Sequence, residues 1–240
     1  MEALPALTLC ELADAGDYGL LSFSPFCIKV LRALRALGLP YQSRRGPAPD
    51  SFAELNPQRQ VPVLLVDDVP ITDSTDICAA LSGLAPGRGL LPGDARERAQ
   101  ALLWEEFADT SLNGFVVAAR WADPRNWPRV RDVFFSAAPP PMRLAIAQAM
   151  QSRVVENLIA RDVWRAGSRA CWRRFTAILD ELNTLSPDSG FWVGDTVSVA
   201  DVAIFGQLQS LRVSLTPWQA SRIARRPALS AYLNRVASAT

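Results

Sequence analysis

Apolar residues recur along this chain with two periods, and the change from one to the other divides it. The run "LTLCEL" (Leu7–Leu12) is short and almost wholly apolar, which predicts a buried strand. From Pro25 to Leu37 the spacing lengthens: Cys27, Val30, Leu31, Leu34 and Leu37 share one face of a predicted helix. Lys29, Arg32 and Arg35 are predicted to face away from that stripe. Ser24 stands at the N-cap, Pro25 fits the first turn, where its missing N–H costs nothing, and Gly38 supplies the stop. "LPYQSRR" predicts a second strand, and "DSFAELN" a short helix capped by Asp50 or Ser51. "VPVLLVDDVPITD" reads as a hairpin with arms Val63–Val66 and Val69–Thr72 around Asp67-Asp68. "STDICAALSG" then predicts a helix ended by Gly83.

The stretch "GLAPGRGLLPGD" breaks the pattern with Gly and Pro and reads as a linker. Beyond it the apolar spacing is helical throughout, in five segments that begin near Ala95, Pro139, Ser168, Ser198 and Pro227. No strand is expected there. The predicted fold is an α/β N-terminal domain (1–83), a linker (84–94) and an all-α C-terminal helical domain (95–240).

Composition narrows the chemistry. The 240 residues are 49% hydrophobic and 20% charged, an ordinary globular balance. A net charge of +1 gives no electrostatic footprint for nucleic acid or an anionic membrane, so neither is expected as a partner. The chain has no histidine, which excludes Ser-His-Asp, Cys-His and His-metal mechanisms. Lys29 is the only lysine; the arginine bias suggests a bacterial source. The four cysteines (Cys10, Cys27, Cys78, Cys171) are scattered, without C-x-x-C, and read as reduced thiols of a cytoplasmic protein. The start, Met1 to Pro5, lacks the basic and apolar regions of a signal peptide. No run approaches the ~18 apolar residues that span a bilayer.

Three short motifs could carry chemistry, and each has a plain structural reading beside it. Val61-Pro62 precedes a strand; a cis bond there would turn the Val61 backbone outward, ready to pair with an extended peptide. Asp73-Ser74 opens a helix; either residue suits a cap, and together they could hold the ammonium and carboxylate of an amino-acid head group. Ser24 is equally a cap or a hydroxyl donor to a ligand thiolate at a positive helix end. Ser198-Val199-Ala200-Asp201 is a capping box, a structural signal. Glu105-Glu106 and Asp67-Asp68 read as surface or turn charges, because adjacent helical residues do not face each other. Trp104, Phe107, Trp121 and Trp127 could line an apolar pocket or fill a helix–helix core.

The order of these motifs resembles the glutathione S-transferase superfamily: S-P-F-C opening the first helix, V-P before a hairpin, D-S opening the next helix, a Gly/Pro linker, then helices with S-x-A-D. The resemblance implies a thioredoxin-like N-terminal domain, a helical C-terminal domain, glutathione as co-substrate without a metal, and a small hydrophobic co-substrate between the two. It implies Ser24 as the catalytic hydroxyl that meets the glutathione sulfur. Val61, with Pro62 as the cis proline, would pair with the cysteinyl part; Asp73 and Ser74 would hold the γ-glutamyl head, with Gln60 near the glycine end. Cys27 occupies the second cysteine position of a glutaredoxin-like motif whose first cysteine is Ser24 here, so dithiol chemistry is not expected and Cys27 should face the core. A homodimer is implied as well, and a transferase of the detoxification type. The long loop before Ser24 looks like β-etherase-type members, and "GDTVSVADVAIFGQLQSL" like the metaxin and failed-axon-connections branch, where the fold can serve as a binding module without turnover. The stretch 123–165 departs from the family pattern.

Overall fold

The computed structural model of the protein describes residues 4–13, 16–85, 87–161 and 163–240; the sequence readings at Met1–Ala3, Asp14–Ala15 in the loop before Ser24, Pro86 and Asp162 lie outside these. Four strands, β1 (Leu7–Leu12), β2 (Gln42–Gly46), β3 (Val63–Val66) and β4 (Val69–Thr72), form one mixed sheet in the order β2-β1-β3-β4. Strands β1 and β2 are parallel, with Leu9 opposite Ser43, so a crossover must join them; helix α1 (Pro25–Leu37) supplies it. Strand β3 runs antiparallel to β1, with Leu9 opposite Leu64, and pairs with β4 through a tight turn. Asp67 and Asp68 both have positive φ, 47° and 68°, as a two-residue hairpin of matching twist requires.

Side-chain alternation sorts the sheet's two faces. Leu9 and Leu64 point into a core with Val30, Leu34 and Leu37 of α1 and with Ile77 and Leu81 of α2 (Ser74–Leu84). Cys10 and Val63 point the other way and pack on Phe52. Phe52 ends a single 3₁₀ turn, Pro49–Phe52, in place of the predicted short helix. That segment goes no further as a helix because the Asn56 side chain bonds forward, accepting from the Gln58 N–H and donating to the Gln60 carbonyl.

The rest of the described chain is helical, without a strand after β4. Helix α3 (Ala95–Phe107) continues through a π-helical turn (Ala108–Leu112), α4 (Asn113–Val117) and a second π turn (Ala118–Ala122). Then come α5 (Trp127–Phe134), α6 (Pro140–Arg161), α7 (Gly167–Leu185), α8 (Val199–Gln209), α9 (Pro217–Ala224) and α10 (Pro227–Ala239). Apolar spacing does not mark α5 and α9 as separate helices; each is eight residues long and has proline in its first turn. Buried from Val199 to Leu208, α8 runs through the centre. Its capping box is present with the roles partly exchanged. Asp201 reaches back to the Ser198 N–H at 2.8 Å, and the Ser198 hydroxyl donates to the same carboxylate at 2.7 Å. Asp201 also accepts from the Trp192 N–H and the Tyr232 hydroxyl, so this fully buried acid ties three segments together.

Helices α1 and α8 pack directly, and Gly206 permits it. A Cβ there would lie 2.7 Å from the Pro25 carbonyl oxygen and 3.3 Å from the Lys29 nitrogen, both backbone atoms that cannot swing aside. Gly206→Ala is therefore expected to cost about 1–3 kcal/mol, read as a lower denaturant midpoint at unchanged m-value.

This packing corrects the sequence reading of α1. Lys29 does not face solvent; it is fully buried, because α8 and α3 cover the face that the single apolar stripe left open. Arg32 is half-buried, lying over the Phe205 ring and donating to the Ala237 carbonyl. Arg35 alone of the three is exposed.

Candidate functional site

Ser24, Gln60, Val61, Pro62, Asp73 and Ser74, the six residues singled out from sequence, line one cleft of about 380 Å³, with Leu12, Phe26 and Pro49 as its apolar edges. Two helix N-termini open onto it, since Ser24 caps α1 and Asp73 caps α2. Such ends present unpaired N–H groups and a positive dipole, which suits anionic ligand groups.

Each residue is held locally. The Ser24 oxygen accepts from the Cys27 N–H at 3.3 Å. The Ser24 N–H donates to the Ser22 hydroxyl, which donates in turn to the Leu12 carbonyl at 3.0 Å. The Val61-Pro62 bond is cis. Among the described residues, the Val61 backbone makes no turn, loop or cap hydrogen bond. Asp73 adopts a positive φ of 70°, and its carboxylate accepts from the Thr75 N–H at 2.8 Å. Cys27 is fully buried, and desolvation pushes its thiol up to about 11, so it stays protonated at neutral pH.

Beneath the cleft lies a charged cluster. The Lys29 ammonium sits 2.6 Å from Glu105 Oε1 and 2.5 Å from Asp109 Oδ2. It also donates to the hydroxyls of Thr75 (3.2 Å) and Ser74 (3.4 Å). Burial pulls its pKa down, but Asp109, with Glu105 behind it, outweighs this and holds it above the ordinary lysine range. Glu105 is thus a buried ion-pair partner, not the surface charge its neighbour Glu106 is. The sequence signal was there: the sole lysine lies five residues past Ser24, in a helix whose other basic residues are arginine.

A second cleft of about 580 Å³ is lined by Ala13, Phe23 and Pro47, each within two residues in the chain of Leu12, Ser24 and Pro49 of the first. Phe23 and Phe134 form its aromatic wall, with ring centroids 4.8 Å apart at 65°, and Tyr18, Asp17 and Asp132 complete it. None of the four aromatic residues named from sequence lines either cleft. Trp104 and Phe107 border a separate apolar groove between α3 and α7. Trp121 and Trp127 stack on each other, and Trp121 backs Phe134. Among the described residues no helix is long and apolar enough to cross a membrane, and no group of three His, Cys, Asp or Glu is placed to hold a metal ion.

A small mixed sheet whose cis proline stands beside two helix N-termini, joined to a helical bundle, defines a thioredoxin-like α/β part with an all-α partner. Sequence comparison agrees. The glutathione S-transferase N-terminal domain pattern matches residues 21–89, and the C-terminal domain pattern matches residues 156–235. The chain is 30% identical to protein LigF of Sphingobium sp. (strain NBRC 103272 / SYK-6) over 165 residues, 65% of this chain and 57% of LigF. It is 37% identical to glutathione transferase GST 23 of Zea mays over 95 residues, 38% of this chain and 43% of that protein. The matched regions thus span about half the length of these curated relatives. Among solved structures, β-etherase LigF from Sphingobium sp. strain SYK-6 superimposes with a TM-score of 0.59 at 21% identity, covering 96% of this chain and 99% of that one. A glutathione S-transferase from Rhodospirillum rubrum F11 gives 0.64 at 21% identity, covering 96% and 87%. The chain belongs to the glutathione S-transferase superfamily.

Proposed function

We propose that the protein is a glutathione transferase that activates the glutathione thiolate for attack on a hydrophobic electrophile. The single observation that carries this reading is the convergence of Ser24, Val61, Asp73 and Ser74 on one cleft at two helix N-termini. In this reading residues 1–83 bind glutathione, 84–94 link, and 95–240 complete the co-substrate site. Asp73 meets the γ-glutamyl ammonium. The Ser74 hydroxyl and the first N–H groups of α2 meet its carboxylate. Because Lys29 donates to the Ser74 oxygen, the Ser74 hydrogen is available to the ligand. The Val61 backbone pairs with the cysteinyl unit, the Pro62 turn presents it, and Gln60 lies toward the glycine end. Ser24 keeps its hydroxyl hydrogen, since its oxygen is the acceptor for Cys27, and donates it to the sulfur. Thiolate activation and proximity then supply the acceleration, with no imidazole needed.

The co-substrate occupies the neighbouring aromatic cleft. Similarity over 65% of this chain to LigF, a β-etherase, favours an ether-bearing apolar compound there. We further propose a cytoplasmic homodimer of bacterial, detoxifying type; the apolar groove between α3 and α7, with Leu103 and Leu185 exposed, supports self-association. Calorimetric titration with glutathione, followed by turnover on chloro-aryl and aryl-ether substrates, tests the reading. Saturable binding with turnover is expected; binding without turnover on either class would mark a glutathione-binding module, and no binding would refute the transferase and favour a module of the same fold that binds another partner.

A further inference from the structure

Arg120, in the second π-helical turn, is only 3% exposed, yet no carboxylate among the described residues pairs with it. One guanidinium nitrogen donates to the Phe23 carbonyl at 2.7 Å and another to the Ser210 carbonyl at 3.2 Å. The third, Nε, is buried without a hydrogen-bond partner. Among the described residues the acids on the surrounding elements are engaged or exposed, Asp17 among the exposed ones at the aromatic cleft. Asp123 is held by Arg125 and Gln219, Asp132 on α5 pairs with Arg131, and Glu156 on α6 is exposed. Burial is what lowers the Arg120 pKa, to about 10, which leaves it charged at neutral pH. A buried cation without a counter-charge opposes folding, and an apolar residue of similar size would serve better as a strut.

The place of this charge gives it a use. The Phe23 carbonyl belongs to the peptide group that carries the Ser24 N–H, and that N–H is itself held by Ser22. The same guanidinium lies 5.8 Å from the Phe134 ring, which packs on Phe23 in the aromatic cleft. Arg120 therefore stands behind the segment that separates the two clefts.

We propose that Arg120 is a positioning residue whose fixed charge, delivered at the Phe23–Ser24 peptide, favours a thiolate over a thiol in the cleft at Ser24. The inference rests on the glutathione reading given above. The glutathione S–H loses its proton to solvent, the sulfur keeps the electron pair, and Arg120 neither gains nor gives a proton. Removing the charge raises the thiol pKa. The thiolate fraction then falls, and the rising limb of the pH–rate profile moves to higher pH.

The test is an ultraviolet titration of the thiolate of glutathione bound to the purified protein, for wild type, Arg120→Met, Arg120→Gln and Arg120→Lys. Wild type should ionise the bound thiol below the pH at which free glutathione ionises. The Met and Gln variants should shift it up by about one unit, about tenfold less thiolate at any pH below both values. Lys, which restores the charge without the planar fork, should stay near wild type. Gln keeps a donor for the Phe23 carbonyl, so it reads the charge alone should the Met variant fail to fold. Met and Gln titrating like wild type, or Lys titrating like Met, would overturn the role of Arg120. A wild type that leaves the bound thiol as in free glutathione would instead refute the glutathione reading.

Discussion

Ser24→Ala is expected to lower turnover about a hundredfold and to leave glutathione affinity nearly unchanged. In the proposed reading the hydroxyl contributes one donor aimed at the charge on sulfur, and removing a single preorganised donor of that kind costs roughly 10²–10³ in rate. Binding in that reading draws on other groups: the Val61 backbone, Asp73, Ser74 and the α2 N-terminus, which line the same cleft and survive the substitution. The substitution also removes the cap on the Cys27 N–H, so α1 loses about 1 kcal/mol of stability. Steady-state kinetics with calorimetric binding separates the two effects. Equal losses in binding and turnover would make Ser24 a cap and nothing more. Cys27→Ser in the same background should change turnover little, because the thiol is buried and protonated.

Lys29→Ala is expected to be the most destabilising single change in the α/β part. It strands Glu105 and Asp109, one nearly and one largely buried, without their cation. Breaking a buried pair in this way typically costs about 3–5 kcal/mol, on the order of 10²–10⁴ in the folded-to-unfolded ratio. The denatured reference sets the pH window. The folded pKa of Lys29 lies above its unfolded value, so its contribution is complete at neutral pH. It is lost only as pH rises beyond about 10.4 toward the folded value. A triple variant, Lys29→Met with Glu105→Gln and Asp109→Asn, should recover most of the stability, because a neutral, packed cluster avoids the desolvation cost. It should still bind glutathione more weakly, since Ser74 loses the donor that orients it. Denaturant unfolding of the single and triple variants decides this. A single variant as stable as wild type would show that the carboxylates find another cation or water.

Local chemistry made much of the fold and most of the candidate site legible. Ser24, Gly38 and the Asp67-Asp68 turn are decided by the backbone within a few residues, and the structure has each in its expected place. The hairpin arms matched because two short apolar runs flank a two-residue turn; β3 is buried on both faces, Leu64 toward one core and Val63 toward the other. Failures cluster where a partner distant in sequence decides. Lys29 looked solvated because helical periodicity assigns one face to the core, and nothing local says that α8 will cover the other through Gly206. Glu105 and Arg120 were hidden for the same reason; their partners lie 76 and 97 residues away in the chain. The aromatic wall of the second cleft was missed because Phe134 belongs to α5, a short helix whose position depends on Trp121 and the second π turn behind it. The six cleft residues are separated by up to 50 positions. Their meeting was inferred from family resemblance, and no periodicity in the sequence implies it.

The whole reading turns on where a bound sulfur comes to rest. Crystals of the protein grown with glutathione test this directly. The account predicts the tripeptide in the first cleft, its cysteinyl unit paired with the Val61 backbone, its glutamyl end at Asp73 and Ser74, and its sulfur within hydrogen-bond reach of the Ser24 oxygen. Tripeptide seated with the sulfur turned away from Ser24, or the cleft closed by protein in the presence of saturating ligand, would contradict it.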